Sequence, residues 1–137
     1  MGNKKKEQFF KKHENDQKNI VVTINDSYPK FSFEFCFVSN KSVEKINKSE
    51  KVALIEKIVH LSKITWAEIK ALPRQQGFEK IDKKSFQKLP GVPALFKDEN
   101  KITVFRLPSG KGRLVGYIVD ETFFIVWVDT KFDMYKH

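Results

Sequence analysis

The stretch RLVGYIVDETFFIVWV, residues 113–128, decides the fold. Two runs rich in β-branched and aromatic residues, Arg113–Val119 and Thr122–Val128, flank the pair Asp120-Glu121. Runs of that kind read as strands, and so short a connection forces them to lie antiparallel. A two-residue turn sets Val119 opposite Thr122, Tyr117 opposite Phe124 and Arg113 opposite Val128. Side chains alternate along a strand. Leu114, Gly116, Ile118, Phe123, Ile125 and Trp127 therefore share one face, and Arg113, Val115, Tyr117, Phe124, Val126 and Val128 share the other.

Two further runs extend the ribbon. Ile102–Leu107 precedes it across a loop at 108–112, and Phe132–Lys136 follows it across Thr130-Lys131. A second two-residue turn adds Phe132 and Met134 to the apolar face, and Asp133, Tyr135 and His137 to the other. The apolar face is expected beneath helices, and Arg113, Tyr117, Asp133, Tyr135 and His137 on an open face. A five-residue loop would pair Leu107 with Arg113 and turn Arg106 away. A four-residue loop, 108–111, would place Arg106 opposite Arg113 on the same face.

The first half of the chain supplies the covering layer. FSFEFCFV (residues 31–38) alternates strictly and predicts a half-buried strand after a turn at Tyr28-Pro29. From Ser49-Glu50 a helical period follows, with Val52, Ile55, Ile58, Val59 and Ser62 on one stripe. Thr65 and Glu68 form a capping box for a second helix carrying Trp66, Ile69 and Leu72, which Pro73 ends. Asp82 is expected to cap a short turn through Phe86, and Pro90–Pro93 reads as an irregular connection. The predicted class is α+β: an antiparallel sheet of four to five strands, two to three helices on one face, order βααβββ(β). Residues 1–27 read as a basic, flexible N-terminal extension, and 28–137 as a single domain.

Composition narrows the classes. A chain of 137 residues with thirteen Phe and two Trp can bury a real core. The single cysteine, Cys36, excludes an internal disulfide framework and a CxxC-type zinc site. His13, His60 and His137 share no metal-ligand spacing, and no cofactor motif is present. There is no apolar run of about eighteen residues and no secretory leader, so the expectation is a cytoplasmic protein with no membrane partner. Met1-Gly2 lacks the Ser or Thr of a myristoylation signal, since Lys6 stands there.

The net charge of +9 draws polyanions towards the surface. Only three of the 26 cationic residues are arginines: Arg74, Arg106 and Arg113. Where Lys fills nearly every cationic position, a retained Arg points to a planar fork that grips phosphate or carboxylate. An open face bearing Arg113, Arg106, Lys111, Tyr117, Tyr135 and His137 has the groups that RNA strand cleavage needs. The ribose 2′-hydroxyl attacks the adjacent phosphate with a base near neutrality, cations on the pentavalent charge and an acid for the leaving oxygen. Lys4, Lys5, Lys6, Lys11 and Lys12 of the extension are candidate nucleic-acid contacts. Plainer readings stand beside these. The tyrosines suit a partly covered sheet, Arg113 suits an ion pair with Asp133, His60 suits packing, and Arg74–Gly77 suits a loop.

The terminal segment FRLPSGKGRLVGYIVDETFFIVWVDTKFDMYKH (residues 105–137), with the element order, resembles the RelE/YoeB/ParE superfamily of bacterial toxins. Arg113-Leu114-Val115 with Tyr117 is similar to the family's R-L-V-Y run, and Tyr135 with His137 is similar to its terminal His/Tyr pair. Gly116 interrupts the first, and one residue separates the members of the second. Leu61–Ile81 is also similar to small bacterial proteins with Arg-His where Arg74-Gln75 stands here. The resemblance implies a RelE-like fold and ribosome-associated, metal-independent mRNA cleavage, neutralised by an acidic antitoxin. It also implies that Arg113 stabilises the transition state, while Tyr135 or His137 handles the base or proton; Arg106 is a further catalytic candidate if the shorter loop sets it beside Arg113. The alternatives are a ParE-like inhibitor or nucleic-acid-binding accessory factor without catalysis, and a protein-binding module for an acidic partner.

Overall fold

The computed structural model of the protein describes residues 24–136. Five strands form one mixed sheet: β1 (Lys30–Ser32), β2 (Phe78–Asp82), β3 (Lys101–Arg106), β4 (Arg113–Val119) and β5 (Thr122–Asp129). Their spatial order is β1-β5-β4-β3-β2. Helices α1 (Lys48–Ser62) and α2 (Trp66–Ala71) lie between β1 and β2 in the chain. The α+β class is as expected. The all-antiparallel sheet is not, because β1 runs parallel to β5 with Phe31 opposite Phe123. Turn lengths encode only neighbouring hairpins, whereas a parallel pair is closed by a long crossover. Among the described residues no helix is long and apolar enough to cross a membrane.

Three elements depart from the sequence reading. Only Lys30–Ser32 of the alternating Phe run is strand; the chain turns at Glu34-Phe35, and Phe37 and Val38 are exposed. Phe78–Asp82, a mixed polar stretch, forms the edge strand β2 with Phe78 opposite Phe105 and Glu79 opposite Val104. Phe132–Lys136 is not a strand and makes only an isolated bridge between Phe86 and Tyr135.

The helices are capped as their sequences dictate. Thr65 and Glu68 close a capping box on α2, with Trp66 and Ile69 buried. Asn47 rather than Ser49 caps α1, in a box with Glu50. The buried face of α1 is Ala53, Leu54, Lys57 and Leu61, whereas Val52, Ile55 and Val59 point to solvent. Apolar residues occupy more than one face of this helix, so the period admits two stripes, and the sheet selects one.

Both faces of the sheet are covered. Phe105, Leu114, Phe123, Ile125 and Val128 pack beneath the helices with Leu54, Leu61, Trp66 and Ile69. On the opposite face Ile102, Val104, Val115, Tyr117, Val126 and Trp127 are roofed by Phe35, Phe86, Phe96, Met134 and Tyr135 from loops. The expected open face is therefore a second core. A large apolar side chain contributes about 1.5–3 kcal/mol when buried, so this roof matters to stability as much as the helices do.

A bulge decides which residues enter which core. The β4–β5 register holds from Val119↔Thr122 to Gly116↔Ile125, then shifts so that Val115 faces Trp127 and Arg113 faces Asp129. Trp127 thereby moves to the roofed face and Val128 to the helical face, the reverse of the unbulged expectation. Gly116 permits the shift: a Cβ there would lie 1.8 Å from the Phe124 carbonyl oxygen. Gly116→Ala is expected to lower stability by about 3 kcal/mol or more in urea unfolding, because backbone, not a flexible side chain, must move. A loss near zero would show that the bulge relocates freely.

Candidate functional site

The β3–β4 hairpin brings two arginines together. Its loop turns through Ser109, Gly110 and Gly112, all at positive φ, and Leu107 N–H donates to the Gly112 carbonyl at 2.9 Å. This is the four-residue loop, so Arg106 lies directly opposite Arg113 on the roofed face. Lys111 is exposed in the same loop.

The third arginine joins them through β2. Glu79 sits diagonally across from Arg106, with its Oε1 3.6 Å from an Arg106 terminal nitrogen and its Oε2 3.8 Å from Arg74 Nε. Two of the three arginines, Arg74 and Arg106, thus gather about one carboxylate. Both contacts are ion pairs at long range, of the kind worth less than about 1 kcal/mol. Arg74 is exposed, and Arg106 is one-third exposed with an Nε that has no hydrogen-bond partner among the described residues. This edge carries an excess of positive charge, loosely held.

Arg113 is placed differently. It is 5% exposed, and its guanidinium carbon lies 4.9 Å from the Phe132 ring centre and 4.8 Å from that of Tyr135. A guanidinium over aromatic rings gains a cation–π contribution that grows as water is excluded. Tyr135 rests in turn on Phe86, at 5.0 Å between ring centres. Burial raises the Tyr135 phenol above its ordinary pKa, with Arg113 opposing and Glu79 reinforcing the shift. Tyr135 is therefore a proton donor at neutral pH and not a base.

Tyr117 does not belong to the cluster. Its ring stacks on Phe96 at 4.3 Å inside the second core, and burial pushes its pKa up to about 12. Lys4, Lys5, Lys6, Lys11, Lys12, His13 and His137 lie outside the described residues, as does most of the proposed extension. Of that extension, Asn25 and Ser27 are bound to α2 through Lys70 and the Trp66 N–H. Among the described residues no three His, Cys, Asp or Glu side chains gather as a metal site requires.

The segment that wraps Arg113 hangs on Asp129, which is fully buried opposite Arg113. Its carboxylate accepts hydrogen bonds from the Met134 N–H at 3.1 Å and the Asp133 N–H at 3.4 Å, so the chain turns instead of continuing as a strand. Lys41, 4% exposed, donates to Asp129 at 3.0 Å and also to Asp133. Asp133 is further paired with Lys88 at 2.8 Å, so the expected ion pair between Arg113 and Asp133 gives way to a lysine pair. Phe132 takes a left-handed backbone, φ 57°, in this turn, a conformation that strains a bulky residue by about 1–3 kcal/mol. Below it a groove of about 480 Å³ is lined by Gln87, Lys88, Phe132, Asp133, Tyr135 and Lys136.

The scarcity of arginine drew attention to Arg106 and Arg113, whereas Arg74 stood in a segment suited to a loop and reaches Arg106 only through Glu79. Glu79, Phe132, Lys41 and Asp129 carried no comparable signal, since each acquires its role only through non-local pairing.

The lysine network has a pH signature. Lys41 and Lys88 hold the Asp133 carboxyl well below the ordinary carboxylate value. That contribution is complete above the unfolded pKa of about 3.8 and fades as pH falls below it. Burial alone would lower Lys41, but Asp133 and Asp129 outweigh it and hold the ammonium above 10.5. Its contribution is complete below about 10.5 and fades as pH rises through the folded value. Stability should therefore be level between about pH 5 and pH 9 and fall on either side. Lys41→Met should remove about 3–5 kcal/mol at pH 7, because Asp129 is left buried without its cation. Thermal unfolding across pH checks both, and a variant as stable as the parent would contradict the anchoring role.

Comparison with family models, with curated proteins and with solved structures finds no match to this chain.

Proposed function

We propose that the chain is an RNA-binding protein of RelE-like type, a toxin ribonuclease that acts on mRNA and is restrained by an acidic antitoxin. The observation that carries this reading is the convergence of Arg74, Arg106 and Arg113, with Tyr135 on Arg113, at one end of the sheet. A phosphate offers a fork-shaped cation two oxygens and a full charge, more than the distant Glu79 carboxylate supplies. Arg106, one-third exposed, is the group to meet the scissile phosphate, and Arg74 extends the cationic track along the strand edge. Arg113 serves as a positioning residue that fixes the Tyr135 ring. The Tyr135 phenol, protonated at neutral pH, is the proton-bearing group beside Arg113 that this reading assigns to the leaving oxygen, although burial raises its pKa and so weakens it as an acid. The Lys-rich surface supplies the long-range attraction that speeds encounter with RNA.

Burial favours a second reading. Arg113 at 5%, Tyr135 at 4% and Tyr117 at 3% exposure present little surface to a substrate. Binding without scission, as in an accessory factor, uses only the Arg74–Arg106 edge and the lysines.

Cleavage of mRNA in a cell-free translation reaction separates the two. The parent protein should cut message and Arg106→Ala should slow cutting by about 100-fold, the size of loss seen when one transition-state donor is removed. Binding without cutting, with affinity that falls steeply with salt, would establish the accessory reading. Equal activity in parent and Arg106→Ala would contradict the placement of phosphate at this edge.

A further inference from the structure

The groove beside Arg113 is walled by a strained residue. A left-handed position in a turn is filled with least strain by Gly or Asn, yet Phe132 occupies it at φ 57°. The ring is not hidden in a core: the residue remains 37% exposed and forms one wall of the groove of about 480 Å³. The strained backbone thus holds a large flat ring at the surface, backed by the Arg113 guanidinium 4.9 Å away. Around it stand Gln87, an amide that both donates and accepts hydrogen bonds, and Lys88 and Lys136, both exposed. The single carboxylate of the lining among the described residues, Asp133, is already bound by Lys41 and Lys88. An aromatic platform, an amide and two cations in a space of this size match one nucleotide: a π face to stack, a polar edge to read and phosphates on either side.

We propose that Phe132 is the stacking platform for one nucleobase of a bound RNA strand, with Gln87 at the base edge and Lys88 and Lys136 at the adjoining phosphates. The subsite rests on the RNA-binding reading above and extends it from the strand edge at Arg106 into the groove. The residue is retained against its backbone preference because the ring must stay outside, flat on Arg113, where an unstrained turn residue would leave the guanidinium without that cover.

The test compares two fluorescein-labelled strands of equal length bound to the full chain at low salt: an eight-nucleotide oligouridylate and its abasic counterpart. The parent should favour the base-bearing strand by about tenfold, the increment expected for stacking one base. Phe132→Asn, which tolerates the left-handed backbone, should lose that preference while keeping the parent's affinity for the abasic strand. Phe132→Trp should keep it. Persistence of the preference in Phe132→Asn would overturn the subsite and leave RNA binding intact, and an equal weakening towards both strands would also overturn it, since the ring would then act only through the fold. A parent that binds neither strand would instead defeat the RNA-binding reading itself.

Discussion

One buried carboxylate organises the functional end of this molecule. Asp129 closes β5 with no exposure to solvent, and three groups converge on it: the Lys41 ammonium and the amides of Asp133 and Met134. A charge in that position is tolerable only because it is fully partnered. Its hydrogen bonds stop the strand ladder and turn the chain back across the sheet, which carries Met134 and Tyr135 into the second core. The same turn brings both Phe132 and Tyr135 against Arg113. Without this anchor the β3–β4 hairpin would still present two arginines, but nothing would roof them.

The consequence is a graded set of arginines. Arg74 stands in solvent, Arg106 at the boundary and Arg113 within: the first two meet at Glu79, and Arg113 lies opposite Arg106 on the neighbouring strand. Guanidinium groups so placed repel one another unless a polyanion or a π system takes up their charge. Two rings do so for the innermost arginine. For the outer two, Glu79 is the one carboxylate at hand among the described residues, at distances too long for good hydrogen bonds. A ligand with phosphate oxygens would relieve that imbalance, and its pull on Arg106 and Arg74 would leave the packed Arg113 in place.

The central ribbon was legible because its physics is local. The Asp120-Glu121 turn and the pairing of Val119 with Thr122 follow from turn length and alternation, whereas the Arg106–Arg113 alignment was one of two registers that the loop length left open. The bulge was not legible, since it depends on Gly116 allowing the Phe124 carbonyl close to its backbone, and one extra residue reverses the side of every position beyond it. The roof was half legible. Val115, Phe124, Val126 and Val128 made the supposed open face too apolar to leave wet, yet the polar residues among them drew the reading the other way. The FSFEFCFV run shows the converse error, alternation without a strand, because the chain turns at Glu34-Phe35 so that Phe35 lies over Phe96 and Phe124 while Phe37 is left exposed. Charge composition, through the rarity of arginine, drew attention to Arg106 and Arg113, which the hairpin sets opposite each other; that Arg74 joins Arg106 through Glu79 depends on the pairing of β2 with β3, which turn lengths do not encode.

That rarity also makes the central claim directly measurable. A chain with three arginines has three side-chain Nε–Hε signals, resolvable in a ¹⁵N-labelled sample. On titration with a short RNA, the Arg106 and Arg74 signals should shift progressively and saturate together, with Arg113 moving little against its two aromatic rings. Saturable RNA binding that leaves all three signals unmoved would place the nucleic acid on the lysine surface elsewhere and contradict a phosphate site at this end of the sheet.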